Sequence, residues 1–108
     1  MQYLVLGYDG TDEAALERRL ANRQAHINLG DQMRAAGKML FGVAILNEQD
    51  KMVGSMLVCD FASEEELNDW LSKEPYVTGK VWEKVVTHPC RVGPSFVSLL
   101  DKSAMPAQ

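Results

Sequence analysis

The feature that most constrains this chain is the order of its apolar segments. Short strand-like runs and helix-period runs alternate as βαββαβ. Met1 to Tyr8 is an apolar run rich in strand formers, and Asp9-Gly10 breaks it. A helical segment follows from about Thr11 to Ala36, with Asp12 and Glu13 at its positive end and Gly37 as its stop. Met39 to Leu46 and Met52 to Phe61 read as strands, joined across the polar turn Asn47-Glu48-Gln49-Asp50-Lys51 into a hairpin. Ser63-Glu64-Glu65-Glu66 is a capping box that opens a second helix carrying Leu67, Trp70 and Leu71, and Pro75 ends that helix. Trp82 to Val92 is the fourth strand. This order predicts an α+β, ferredoxin-like fold: a four-stranded antiparallel sheet with two helices on one face. Residues 1–100 are expected to form a single domain, and 101–108 a loose polar tail.

The strands carry a second message. Leu4-Val5-Leu6 and Met56-Leu57-Val58 are apolar at consecutive positions. Strand side chains alternate between faces, so both faces of the sheet are partly apolar. Two helices cover only one of them, and large apolar patches are rare on monomers. A second copy of the same sheet is the simplest cover. The expectation is a homodimer, open to further assembly, in which two sheets pack face to face.

Composition narrows the function. A net charge of −4 with no basic run or interleaved aromatics argues against nucleic acid as a partner. No apolar run reaches the ~20 residues of a membrane span. The first residues run straight into Tyr3-Leu4-Val5-Leu6 without a basic leader, so a cytoplasmic location is expected. Cys59 and Cys90 lie in apolar strand surroundings and read as free thiols of a reduced compartment. No HxH, HxxxH, HExxH or CxxC spacing suggests a metal, and Gly7-Tyr8-Asp9-Gly10 lacks the pattern of a phosphate loop. No cofactor is expected. Trp70 and Trp82 read as core or interface anchors.

The candidate chemistry lies on the first helix. At roughly 100° per residue, Leu16, Leu20, Ile27, Leu29 and Met33 share one broad face. Arg23 and His26 project from within that face, beside Gly30, while Glu17, Gln24, Asn28, Asp31 and Gln32 take the other side. A cation and an imidazole turned toward a core must be hydrogen-bonded or serve a purpose. An imidazole can take or give a proton near neutral pH, which makes His26 the main candidate for acid–base work. Its partner would be Asp9, at the end of the first strand, or Glu74, just after the second helix. Arg23, one turn before His26, could clamp a carboxylate or enolate oxygen, or tie the helix to Asp9 or Glu74 in a salt bridge. Tyr76 could donate to a substrate oxygen or cap the core with its ring. His88, before Pro89, reads as a strand-edge residue.

These residues, in this order, resemble the YciI-like family. The resemblance rests on Tyr8-Asp9, Arg18 or Arg19, Arg23-x-x-His26, Gly42, Gly54-Ser55, Asp60-Phe61, Trp70, Glu74-Pro75-Tyr76, Gly79-Lys80-Val81 and Pro89. It implies a dimeric α+β barrel with a His–Asp dyad in a pocket, the histidine falling on His26 and the carboxylate on Asp9. The family's Asp-Pro-Tyr turn is Glu-Pro-Tyr here, which passes any role of that acid to Glu74. One relative of this kind removes chloride from a hydroxylated aromatic ring, and muconolactone isomerases share the barrel. The expectation is a lyase- or isomerase-type acid–base catalyst acting on a small organic acid or phenol, with His26, Asp9 and Glu74 catalytic and Arg23 and Tyr76 binding substrate. The alternative is a non-catalytic dimer that binds or senses a small anion.

Overall fold

The computed structural model of the chain describes residues 1–100; the expected tail at 101–108 lies outside the described residues. Strand β1 (Gln2–Asp9), helix α1 (Ala15–Ala35), strands β2 (Met39–Leu46) and β3 (Met52–Asp60), helices α2 (Glu64–Lys73) and α3 (Pro75–Thr78), and strand β4 (Trp82–Cys90) follow in order. A 3-10 turn (Pro94–Phe96) and one helical turn (Val97–Leu100) come after β4. The sheet is antiparallel with order β2-β3-β1-β4. This is the ferredoxin-like α+β fold expected from the order of segments.

The local signals act where the sequence puts them. Ser63 Oγ accepts the Glu66 N–H at 3.2 Å at the start of α2, while the Glu66 carboxylate pairs with Lys38 rather than closing the box. The chain then makes one further helical turn at Pro75–Thr78 where the sequence suggested only a stiff turn. Glu74 caps it, accepting the Tyr76 N–H at 3.2 Å, and proline at the first position needs no hydrogen-bond partner.

Helix α1 starts at Ala15, later than expected, because a turn in which Asp12 O accepts the Ala15 N–H comes first. Its inward stripe also differs from expectation. Leu20 is 53% exposed, whereas Ala15 and Arg19 are buried, and Leu29 and Met33 pack on the core. Ala15, Arg19, Asn22, His26, Leu29 and Met33 share a seven-residue spacing, which forms one stripe of a helix. The apolar positions alone pointed about one residue to the side, toward Leu16, Leu20 and Arg23.

The register fixes the two faces of the sheet. Tyr3, Val5 and Gly7 pair with Cys59, Leu57 and Ser55 and face the helices. Trp70, Phe61, Leu67, Tyr76 and Trp82 complete the core beneath α1 and α2. Leu4 and Leu6 pair with Val58 and Met56 on the other face, joined there by Phe41 and Val43 of β2. Among the described residues, none of helices α1, α2 and α3 covers that side. Phe41 and Val43 are exposed, and Leu4, Leu6, Met56 and Val58 are only half-buried. The two apolar faces read from consecutive strand positions are therefore present.

Candidate active site

The site is built where α1 crosses α3 above β1 and β3. Two turns of α1 supply Arg19 and His26, the cap of α3 supplies Glu74, and α3 supplies Tyr76. The His26 Nδ1–H donates to Glu74 Oε1. The imidazole stacks on the Tyr76 ring, with centroids 3.9 Å apart and planes 8° from parallel. Trp82 meets both rings edge-on, at 6.1 Å from His26 and 5.7 Å from Tyr76. Bonded at one nitrogen and stacked on one face, the imidazole is held in a single orientation.

Beneath it runs a buried polar network. Arg19 Nη1 donates to both Asp9 oxygens, at 2.9 and 3.1 Å, and Nη2 donates to Ser55 Oγ at 2.8 Å. Trp82 Nε1 donates to the same hydroxyl at 3.3 Å. The guanidinium lies 4.7 Å from the centre of the Tyr76 ring, a cation–π contact. Gly7 makes room for this layer, since a Cβ there would strike the Trp82 indole at 2.3 Å. Burial pushes the Asp9 carboxyl above its usual range, and the Arg19 pair opposes that rise. Burial also raises the Tyr76 phenol, which keeps it a neutral hydrogen-bond donor at physiological pH.

The structure separates the two carboxylates that sequence alone left as alternatives. Glu74 meets His26, and Asp9 is taken by Arg19. Arg23 bonds neither acid and makes no ion pair among the described residues; it lines the open cleft beside His26. Tyr76 is buried with its ring stacked on His26, and it borders the cleft. His88 is exposed on β4 opposite Leu4, away from the site. The sequence reading assigned no role to Arg19 or Ser55. The signal was present in the seven-residue spacing of Arg19 and His26, which puts both on one stripe.

Above this layer lies a cleft of about 470 Å³, within the range of small-molecule sites. Arg23, His26, Ile27 and Gly30 of α1 form one wall, and Gly42 to Ala44 of β2 with Ser55 and Leu57 of β3 form the other. Apolar residues of its lining alternate with Arg19, Arg23 and Arg34, the His26 imidazole, Ser55, Tyr76 and the acid Asp31. Guanidinium groups beside apolar walls offer contacts to an anionic group. Among the described residues no group of three or more His, Cys, Asp or Glu could hold a metal ion, and no helix is long and apolar enough to cross a membrane.

Comparison with known proteins agrees with this architecture. The profile of the YCII-related domain matches residues 1–90. Protein YciI of Escherichia coli is 28% identical over 95 residues, covering 82% of this chain and 95% of the relative. An uncharacterized protein of Haemophilus influenzae matches with the same identity and coverage. Among solved structures, a 5-chloro-2-hydroxyhydroquinone dehydrochlorinase from Burkholderia phenoliruptrix, in complex with 2,5-dihydroxybenzoquinone, superposes with a TM-score of 0.74. It has 20% identity and covers 88% of this chain and 98% of its own. A dimeric ferredoxin-like protein from an uncultured marine organism gives 0.52 at 14% identity, covering 84% and 94%.

Proposed function

The chain belongs to the YCII-related domain family, and we propose that it is a small enzyme working through the acid–base chemistry of its own side chains. The observation that carries this reading is the His26–Glu74 contact at the edge of an open, cation-lined cleft. Glu74 holds the Nδ1 proton, which leaves Nε2 as the base. His26 removes a proton from a carbon next to a carbonyl, or from the hydroxyl of a phenol, of a small cyclic or aromatic organic acid. The electron pair moves onto oxygen, where Arg23 and the neutral Tyr76 hydroxyl stabilise the oxyanion. Reforming the carbonyl then expels a leaving group, or the proton returns at a different carbon. The reaction class is elimination or isomerisation. Asp9 belongs to the support beneath the site, through Arg19. The dehydrochlorinase neighbour acts on a ring of this kind, which supports the substrate class by analogy.

We place the enzyme in the cytoplasm as a homodimer. The uncovered apolar sheet face supports the second copy, as does the dimeric ferredoxin-like neighbour. A non-catalytic anion sensor is the second reading. Arg23 favours it, because this cleft-lining cation forms no ion pair among the described residues.

The test is turnover by wild type and His26→Gln. Chloride release from 5-chloro-2-hydroxyhydroquinone and isomerisation of unsaturated lactones are the assays. The substitution should cost about 10²–10⁴-fold in rate, the usual contribution of a positioned base, with the circular dichroism spectrum unchanged. A full rate in His26→Gln rules out the general base. Ligand binding without turnover in wild type decides for the sensor.

A further inference from the structure

Gly30 stands in the interior of α1, a helix of 21 residues, five residues before its end. An interior glycine weakens a helix relative to alanine, because its backbone loses more freedom on folding. Nothing in the fold asks for one there. A Cβ built on Gly30 has no atom within 4 Å, and its φ is not positive. Gly42, on the facing strand, is the contrast: a Cβ there would meet Leu57 Cδ2 at 2.6 Å, so the Leu57 side chain would have to shift to admit it. The space that Gly30 leaves empty belongs to the cleft itself.

Position along the helix gives that space a meaning. Arg23, His26 and Gly30 all line the cleft from α1. At about 1.5 Å per residue, Gly30 lies roughly 6 Å beyond His26 and Arg23 about 4.5 Å before it. Resting on the acid–base reading above, we propose that Gly30 is the residue that sets the width of substrate this cleft accepts. With the anionic end at Arg23 and the acidic carbon at His26, the rest of the ligand runs past Gly30. Bare helix backbone there lets a six-membered ring lie flat between α1 and β2. A larger side chain narrows the passage to an acyclic acid.

Titration calorimetry on wild type, Gly30→Ala and Gly30→Leu tests this, with 4-hydroxybenzoate as the ring probe and malonate as the acyclic one. Wild type should bind the ring probe more tightly than malonate. Gly30→Leu should weaken the ring probe at least tenfold and leave malonate within threefold. Gly30→Ala should raise Tm by a few degrees, since a methyl group meets no obstacle there, and should weaken the ring probe by a smaller factor than leucine. Three outcomes overturn the proposal: ring affinity unchanged in Gly30→Leu, both probes lost equally, or a wild type that prefers malonate or does not distinguish the two. None of these decides the general-base reading, which stands or falls on turnover by His26→Gln.

Discussion

The Glu74 carboxylate meets the His26 imidazole from 48 residues further along the chain, and the same Oε1 accepts the Tyr76 N–H at 3.2 Å. One oxygen therefore starts helix α3 and orients the ring that lies over it. The cap and the orientation of the imidazole are set together, so a change at Glu74 acts on both.

Glu74→Gln separates the two jobs. The amide oxygen can still accept the Tyr76 N–H, but the charge facing His26 is gone. We expect the fold to persist, with turnover falling about 10-fold to 10³-fold, less than the loss in His26→Gln. Glu74→Asp draws the carboxylate back by one methylene and should give an intermediate rate. Steady-state kinetics on the three variants gives the order, and wild-type rates in Glu74→Gln would exclude an orienting role.

The Arg19–Asp9 pair should behave as a buried ion pair, since both side chains are 3% exposed. Arg19→Met strands the Asp9 carboxylate and should cost about 3–5 kcal/mol. Adding Asp9→Asn removes the stranded charge, so the double variant should be more stable than Arg19→Met alone. Urea unfolding of the two single variants and the double variant measures the coupling. Strict additivity would show that the pair contributes nothing as a pair.

Cys59 is fully buried, and desolvation pushes its thiol up to about 12 from an ordinary value near 9. The native thiol stays protonated where the unfolded one ionises. Stability from this source is complete below about pH 9 and is lost as pH rises toward 12. Tyr76 shifts in the same direction, so it adds to the loss at alkaline pH. Tm should fall over this window, and Cys59→Ala should flatten the slope while lowering the plateau. At pH 8, Ellman's reagent should modify Cys59 only as fast as the protein opens. Immediate labelling of both thiols would contradict the burial.

The open sheet face should hold the second copy. Light scattering at micromolar concentration should give a dimer mass for wild type. Met56→Glu, in the middle of that face opposite Leu6, should give a folded monomer, because a buried unpaired carboxylate opposes association. A wild-type monomer would remove the sheet-to-sheet dimer.

Much of the fold was legible because its signals are local. Strand runs, the polar turn at Asn47–Lys51 and the Ser63 cap each act within a few residues, and β2 spans Met39–Leu46 as expected. Alternation along β1 and β3 likewise exposed the two apolar faces without any tertiary information. His26 was visible for the same reason, as an imidazole among apolar helical positions.

What the chain alone left open was which groups meet. Asp9 and Glu74 are both acids at element ends, and nothing local distinguishes them. The docking of α3 against α1 gives Glu74 to His26, while the floor of β1 and β3 gives Asp9 and Ser55 to Arg19. The helix face that turns inward was settled in the same way. Apolar residues spread over a broad arc, and a buried ion pair with Asp9 rotated the stripe onto Arg19 and left Leu20 in water. Periodicity fixes a helix and its approximate face; only packing against the other elements fixes the angle at which it sits and the partners it meets.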